Sequence, residues 1–268
     1  MTGPAFEVRD ISYSYRGHQA IAGLSLRVER GERVALIGAN GSGKSTLLRL
    51  LAALCFPDTG GILFDGEELT DARLQNEDFF YRFRRRVGVV FQNPDVQLFN
   101  ASVFDEVAFG PLQMGWPRDR IRGLVEKTLT EMGISALRDR APHRLSGGEK
   151  KRVALASVLV LDPEILLLDE PAAALDPGSD RQITDLLRSW GNGKKTVIAA
   201  THDLDTLEDI ADRCYVLNEG RVAGSGTPLE ILHDTRLLAE VNLVRPQHHS
   251  HLHGGNKPHP HVHVTDIS

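Results

Sequence analysis

A glycine-rich segment at positions 38–46, GANGSGKST, has the residue types and spacing of a phosphate-binding loop. It fits G-x-x-x-x-G-K-[ST] without a mismatch and follows the apolar run 34–37. Small residues let phosphate oxygens approach backbone N–H groups, and a helix beginning near Gly43 adds its positive end. Lys44 would supply charge to the β- and γ-phosphates, and Ser45 a hydroxyl to Mg²⁺. The candidate nucleotide-binding residues here are Gly38, Ala39, Asn40, Gly41, Ser42, Gly43, Lys44, Ser45 and Thr46.

A pair of carboxylates, Asp169 and Glu170, ends a second apolar run at 165–168. The carboxyl end of a strand in a parallel sheet would place both beside the phosphate loop. We expect Asp169 to hold Mg²⁺ through a water and Glu170 to polarise the attacking water. An apolar run followed by two acidic residues is weak evidence for a nucleotide site by itself, because the starts of helices often have the same pattern. Together with the phosphate loop, it predicts a nucleoside triphosphatase.

A third segment, RLSGGEKKR at 144–152, narrows the class of triphosphatase. It resembles the LSGGQ-type signature of ABC (ATP-binding cassette) ATPases, and the resemblance covers about residues 5–240. Ser146, Gly147 and Gly148 precede an apolar-periodic helix, whose bare N-terminus could bind phosphate; a plain serine N-cap is the alternative. The resemblance implies that these residues contact the γ-phosphate held by the other subunit. Glu149 stands where the family more often has Gln, beyond the phosphate contacts.

Other residues acquire roles only through this resemblance. Gln92 matches the glutamine that senses Mg²⁺ and the reaction water, and His202 matches the switch histidine that contacts the γ-phosphate and positions Glu170. Asp176 matches the loop that couples the two sites of the dimer. Tyr15 would stack on adenine, with Tyr13 as the competing candidate and packing on the sheet as the alternative.

The resemblance also implies a fold and an assembly. The expected fold is α/β, a P-loop NTPase of the ABC ATPase type, with a RecA-like core, an N-terminal antiparallel β subdomain and an inserted α-helical subdomain at about 93–162. This ATP-binding domain would span residues 1–245. It would bind ATP and Mg²⁺ and hydrolyse ATP as a head-to-tail homodimer with two competent sites.

Hydrophobic patterning predicts the strands and helices that must position these residues. Residues 203–211 and 228–240 each have the pattern of a helix, and 93–161 is mostly helical. The remaining assignments are strands at 6–15, 24–32, 33–37, 60–69, 87–91, 165–168 and 196–200, a helix at 44–54, and a hairpin joining 215–217 to 221–223.

A block from 92 to 112, containing QNPDVQLF and VAFGP, resembles the ATPases of energy-coupling factor (ECF) importers, particularly the cobalt and nickel branch. That resemblance implies a groove for a helix of an integral-membrane transport subunit, and a partner set that includes a substrate-binding component. Four apolar residues could line the groove or belong to the core of the helical subdomain: Phe99, Val103, Val107 and Phe109.

The segment 246–268 holds seven of the eleven histidines in the chain. Its composition predicts disorder in the absence of metal, and neutral imidazoles suit Ni²⁺, Cu²⁺, Zn²⁺ and Co²⁺. We expect it to gather or sense the transported metal; a solvated tail with incidental affinity is the alternative. The candidate ligands are His248, His249, His251, His253, His259, His261 and His263.

Composition limits the remaining function classes. The net charge of −5 disfavours nucleic-acid binding, and no apolar run approaches the roughly 20 residues of a membrane span. Cys55 and Cys214 form no disulfide framework or metal motif. The basic run 82–86 is interpreted as a solvated edge, with lipid or nucleic-acid contact as the alternative. We expect a peripheral protein on the cytoplasmic face of the cell membrane, attached through membrane subunits.

Three functions remain open at this point. The favoured one is the ATPase of an importer of a divalent metal, cobalt or nickel. The others are the ATPase of a transporter for another substrate, and a non-transport ABC protein acting on ribosomes or DNA. The last class generally joins two cassettes or inserts a long coiled coil, and this chain has neither.

Overall fold

The structure is a computed structural model that describes residues 3–173, 175, 177–191, 193 and 195–244, without the side chains of 177 and 179. Its strands are β1 (Phe6–Tyr15), β2 (His18–Val28), β3 (Arg33–Ile37), β4 (Thr59–Phe64), β5 (Glu67–Glu68), β6 (Val87–Val90), β7 (Ile165–Asp169), β8 (Thr196–Thr201), β9 (Arg213–Asn218) and β10 (Arg221–Gly226). Its α-helices are α1 (Lys44–Leu51), α2 (Asp71–Leu74), α3 (Glu77–Arg86), α4 (Val103–Gln113), α5 (Arg118–Glu131), α6 (Gly147–Leu159), α7 (Pro177–Ser189), α8 (Leu207–Ile210), α9 (Pro228–His233) and α10 (Thr235–Glu240). Single 3₁₀ turns occur at Pro94–Val96, Ser135–Leu137 and Pro142–Arg144.

A six-stranded sheet in the order β10-β9-β3-β8-β7-β6 forms the centre of the fold. Its strands pair in parallel from β6 to β9, and β10 adds an antiparallel edge. The register sets Ile37 beside Thr201, and Asp169 beside Ala200. The segments that follow β3, β6, β7 and β8 therefore leave the same edge of the sheet, where ligands bind in open α/β folds.

The central strands β3, β7 and β8 are buried along almost their whole length, which explains their nearly continuous apolar runs. Along β7, Leu166 and Leu168 join the core formed with α4, α5 and α6. Ile165 and Leu167 point the other way, into the core formed with α1, α3 and the N-terminal strands. The two cores fix the sheet between two layers.

A second, four-stranded antiparallel sheet in the order β2-β1-β4-β5 covers α1. The predicted antiparallel pairing of the N-terminal strands is confirmed, with Phe6 opposite Val28, although β2 begins at His18, earlier than expected. Phe64 of this sheet packs edge-on against Phe83 of α3, with the ring centroids 5.0 Å apart.

The segment 93–162 contains α4, α5 and α6, which pack on the other face of the central sheet. Val103 and Val107 are fully buried, so they belong to the core rather than to a surface groove. Phe99 and Phe109 behave differently: they are 67% and 38% exposed and contact each other edge-on at 4.9 Å.

Three predicted helices are shorter in the structure, and the first of them, predicted at 44–54, ends at Leu51. The helix predicted at 203–211 is reduced to α8, because the carboxylate of Asp203 accepts bonds from Asp205 N and Thr206 Oγ1 and so favours a turn. The helix predicted at 228–240 is divided into α9 and α10. Asp234 leaves the helical conformation at ψ 70° and caps the second helix by accepting from Leu237 N at 3.0 Å.

The interpretation of the basic run 82–86 as a solvated edge is wrong for much of the run. It forms the last turn of α3, a helix absent from the sequence-based assignment. Arg84 donates to the carbonyls of Ala52 and Ala53, and Arg86 pairs with Asp65 and Glu164. The run stabilises the junction between α3 and its neighbours.

Within the part of the chain that the structure describes, none of the helices combines the length and apolar composition needed to cross a membrane.

Candidate nucleotide-binding site

The glycine-rich segment forms the turn between β3 and α1. Gly43 is the N-cap of α1 at φ +108°, and a Cβ there would lie 2.8 Å from the carbonyl oxygen of Ala20. Only glycine satisfies both the left-handed backbone and the close approach of β2. Within the loop, Asn40 and Gly41 are exposed, Gly38 is buried, and Thr46 lies half-buried on the first turn of α1.

The turn between β9 and β10 supports this loop from outside. Gly220 N donates to Ser42 O at 3.0 Å, and Gly220 O accepts from Ala22 N at 2.9 Å. Gly220 has φ +74°, and a Cβ there would approach Ala20 O to 2.6 Å. The phosphate loop is thus held between β2 and the β9–β10 turn.

Lys44 is buried within the loop. Its ammonium donates to Gly38 O at 2.7 Å and to Ala39 O at 3.2 Å. Burial lowers its pKa below the ordinary lysine value, although the charges of Glu170 and Asp169 oppose the shift. A phosphate in the loop would add negative charge beside this ammonium and favour its protonated form.

Ser42 supplies an independent sign of a polar ligand. Among the described residues it has a buried Oγ with no hydrogen-bond partner in the structure. Buried hydroxyls are usually satisfied, so an unpaired one within a phosphate-binding loop fits a phosphate oxygen as its missing partner.

Ser45 and Asp169 are brought together as the sequence led us to expect. Ser45 Oγ donates to Asp169 Oδ1 at 3.0 Å, which joins the start of α1 to the end of β7 across 124 residues. A hydroxyl and a carboxylate are oxygen donors of the kind that Mg²⁺ prefers, usually in combination with substrate phosphates. These two side chains therefore fit a magnesium ion.

Glu170 and His202 form a second contact at the same edge. Oε1 of Glu170 lies 2.8 Å from Nδ1 of His202, with the Glu170 side chain 7% exposed and the His202 side chain 58% exposed. Glu170 has φ +49°, a left-handed conformation that is uncommon for residues other than glycine. A cavity of about 280 Å³ opens beside the pair, lined in part by Thr201 and Asp203.

Gln92 follows β6, two residues beyond its last residue, and is exposed. Its backbone is linked to that of Glu170 by Lys151, a residue that the sequence interpretation missed. Lys151, 2% exposed, donates to Gln92 O at 3.1 Å and to Glu170 O at 2.5 Å. Burial lowers its pKa, opposed by the charges of Glu170 and Asp169. Its place in a run of basic residues gave no sign that it would be buried.

Tyr15 and Tyr13 are distinguished by their surroundings. Tyr13 packs against the core beneath the N-terminal sheet. Tyr15 is 37% exposed, contacts Tyr13 edge-on at 4.8 Å, and accepts a bond from Arg49 of α1 at 3.3 Å. The exposed ring next to α1 makes Tyr15 the better candidate for stacking on a base.

Ser146 is the N-cap of α6 and forms a capping box with Glu149. Glu149 N donates to Ser146 Oγ at 3.3 Å, and Ser146 N donates to Glu149 Oε2 at 2.8 Å. The bond from Ser146 N is the main cause of the lowered pKa of Glu149. A Cβ added at Gly147 would meet no atom within 4 Å beyond its neighbours and its own helix backbone, and Ser146 and Gly147 are exposed, so the start of the helix is accessible to a ligand. The hydroxyl hydrogen of Ser146 remains available to donate.

Some predicted site residues lie outside the described residues: Asp176, His248, His249, His251, His253, His259, His261 and His263. Within the described residues, no cluster of three or more His, Cys, Asp or Glu side chains is arranged to hold a metal ion. The transition-metal prediction therefore concerns only the histidine-rich segment.

Comparison with known proteins extends these observations. A profile of the ABC transporter family matches residues 21–173. The chain is 54% identical to the nickel import ATP-binding protein NikO of Rhodobacter capsulatus over 244 residues, 90% of this chain and 96% of that protein. It is 44% identical to the energy-coupling factor transporter ATP-binding protein EcfA of Methanothermobacter thermautotrophicus, over 90% of this chain and 76% of that one. The solved structure of cbiO1 from Clostridium perfringens, part of the ABC transporter complex cbiONQ, matches with a TM-score of 0.75 and 40% identity, over 90% of this chain and 95% of that one.

Proposed function

Because the chain belongs to the ABC transporter family and is an ATP-hydrolysing subunit of the energy-coupling factor type, we propose that it powers import of a divalent transition metal, nickel or cobalt. The observation that carries the choice of metal is the 54% identity to a nickel import ATPase over 90% of the chain. The likeness to cbiO1 supports a role in an ABC transporter complex, and the segments QNPDVQLF and VAFGP, which resemble the cobalt and nickel branch of the importers, support the choice of metal.

ATP would bind with its phosphates in the loop 38–46 and its base against Tyr15. Lys44 neutralises phosphate charge, and the unpaired hydroxyl of Ser42 gains a partner. Ser45, Asp169 and the Gln92 side chain would hold Mg²⁺, which when bound offsets negative charge on the phosphates. The bond between Ser45 and Asp169 keeps two of these oxygen donors together before the nucleotide arrives.

Hydrolysis requires a water aligned with the γ-phosphate. The Glu170 carboxylate accepts a proton from this water as it attacks, and His202 holds that carboxylate through the 2.8 Å contact. Since the His202 ring is more than half exposed, its other nitrogen is free to face the γ-phosphate. Gln92 would orient the same water from the end of β6.

The complete site would need a second copy of the chain. Ser146, Gly147 and Gly148 at the open start of α6 would contact the γ-phosphate bound to the partner, and Asp176 would couple the two sites. We therefore propose a head-to-tail homodimer that closes on ATP and reopens after hydrolysis.

Attachment to the membrane would use the exposed pair Phe99 and Phe109, which we call the aromatic pair. Exposed aromatic rings in contact are suited to a hydrophobic helix of a membrane subunit. Through that contact the ATPase dimer would sit on the cytoplasmic face of the membrane and transmit its closing motion. The histidine-rich segment 246–268 would gather the metal at the same face.

The test is accumulation of metal in cells that express the whole complex. We expect nickel or cobalt to accumulate with the native chain and not with Glu170→Gln. Active ATPase with no accumulation of either metal would overturn the proposed substrate. Separately, deletion of 246–268 should weaken Ni²⁺ or Co²⁺ binding to the purified chain in calorimetric titrations; unchanged affinity would exclude the metal-binding role of the segment.

A further inference from the structure

Lys151 is a buried cation outside the phosphate loop, and its contacts link two catalytic segments. It is the fifth residue of α6, with 2% of its surface exposed. Its Nζ donates to the backbone oxygens of Gln92, at 3.1 Å, and Glu170, at 2.5 Å. Burying an ammonium group is unfavourable unless hydrogen bonds or opposite charges compensate, and these two bonds supply part of that compensation.

The Glu170 backbone needs such support. At φ +49° it occupies a region that is strained for a side chain of this size, and such residues persist when surrounding contacts fix them. Glu170 N donates to Ala200 O at 2.9 Å, and Glu170 O accepts from Lys151. The peptide groups on both sides of the strained residue are therefore anchored, one by β8 and one by α6.

The same face of α6 also holds the segment that follows Gln92. Lys150 pairs with Asp95 at 2.6 Å. The side chain of Gln97 donates to Ala154 O at 3.0 Å and to Ser157 Oγ at 3.2 Å. Positions 150, 151, 154 and 157 share one side of a helix with 3.6 residues per turn. A displacement of α6 would thus carry Gln92 and Glu170 with it.

We propose that Lys151 is a positioning residue that fixes Gln92 and Glu170 in one arrangement competent for hydrolysis and ties that arrangement to α6. It acts through the two backbone carbonyls and does not touch the nucleotide. Because Ser146 caps the start of α6, Lys151 connects the water-activating residues of one site to the helix that would serve the site of the partner chain. The inference rests on the roles proposed for Gln92, Glu170 and Ser146.

The test compares Lys151→Met with Lys151→Arg, and with Lys127→Met as a matched control, since the Lys127 side chain is 70% exposed. In Lys151→Met we expect kcat for ATP hydrolysis to fall about tenfold or more, as for a misplaced catalytic group. KM for ATP should stay within about twofold and ATP-dependent dimerisation should persist, because the phosphate loop is untouched. Lys151→Arg should recover part of kcat, since a guanidinium can donate to both carbonyls.

Two results would overturn the inference. One is a kcat for Lys151→Met equal to that of Lys127→Met. The other is an equal loss of kcat, ATP binding and thermal stability in Lys151→Met and Lys151→Arg, which would indicate a purely structural residue. If Lys151→Met does not fold, Lys151→Gln, which keeps an N–H donor, is judged by the same criteria.

Adding Gln92→Ala to Lys151→Met tests whether Lys151 acts through Gln92. If Lys151 acts partly through Gln92, the double variant should lose less kcat than the product of the two single losses; a fully multiplicative loss would contradict that link. Measuring Glu170→Gln in the same assay distinguishes failure of the proposed role of Glu170 from failure of the inference about Lys151. Full turnover in that variant would refute the proposed role of Glu170, whereas an inactive Glu170→Gln with an unaffected Lys151→Met would refute only the role of Lys151.

Discussion

Nδ1 of His202 lies 2.8 Å from Oε1 of Glu170, so the residues that follow β8 and β7 are joined directly at the carboxyl edge of the sheet. Glu170 is nearly enclosed, whereas the imidazole is more than half exposed. The contact fixes the direction of the carboxylate and leaves much of the imidazole accessible from outside. A ligand that moves His202 would therefore also move Glu170.

Glu170→Gln should lower ATP turnover by about 100-fold or more, the scale expected for loss of a general base. ATP binding should persist because Lys44 and Ser45 are unchanged, and a closed dimer should accumulate with ATP. Phosphate release and size-exclusion chromatography measure the two effects. Glu208→Gln, at an exposed position on α8, is the control. Near-normal turnover in Glu170→Gln would contradict the assignment.

Two inactive variants should complement each other if the site is shared between chains. Lys44→Ala removes the ammonium group proposed to bind phosphate, and Ser146→Arg would block the start of α6. In a head-to-tail heterodimer, one site combines both defects and the other is intact, so an equal mixture should recover up to roughly a quarter of native turnover. Each variant alone should be inactive. Absence of any recovery would argue against a site completed by the partner.

Phe99→Ser and Phe109→Ser should weaken recovery of the ATPase with its membrane subunits. Both side chains are exposed, so the free energy of unfolding of the isolated chain should change by no more than about 0.5 kcal/mol. Leu229→Ser, at a residue 56% exposed on α9, removes apolar surface elsewhere and is the control. Co-purification and denaturant unfolding measure the two quantities. Equal recovery of all three variants would exclude the aromatic pair as the docking surface.

Asp212→Asn should lower the free energy of unfolding at neutral pH, and this difference from the native chain should disappear at acid pH. Burial alone would raise the pKa of Asp212, but bonds from the guanidinium and backbone N–H of Arg33 outweigh it and lower the pKa below 3.8. The stabilisation is therefore present above pH 3.8 and disappears as the pH falls through the lowered value.

Because the Asp212 side chain is 45% exposed, we expect a difference of about 1 kcal/mol or less in the free energy of unfolding at pH 7. Urea unfolding from pH 7 to pH 3 measures it, with Asp139→Asn, 82% exposed, as control. A difference that grows towards low pH would contradict the sign of the shift.

The fold class predicted from the sequence is confirmed, and the reasons lie in particular segments. The run 165–168 must be buried on both faces, which favours a central parallel strand. The residue pattern of the loop 38–46 is required by few structures other than a phosphate-binding loop between a strand and a helix. Contacts such as Ser45 with Asp169 then follow from the geometry of a parallel sheet, because the ends of its strands share one edge.

Other features depend on side chains that meet only after folding. Nothing in the sequence near Lys151 indicates that its ammonium will reach carbonyls 59 and 19 residues away. Arg84 is similar: a charged residue in a basic run resembles a solvated one until α3 packs against the end of α1. Hydrophobic periodicity predicts which apolar residues are buried and does not predict which cationic residues are buried.

The support of the phosphate loop by Gly220 has a consequence for the genetics of this protein. Gly220 lies 174 residues or more beyond the loop in the sequence, yet any side chain there would collide with Ala20 and disturb the hydrogen bond to Ser42. A random screen for transport-deficient alleles should therefore recover substitutions at Gly220 together with those at Gly43. Such alleles would have a nucleotide-binding phenotype even though the mutated codon encodes no nucleotide ligand.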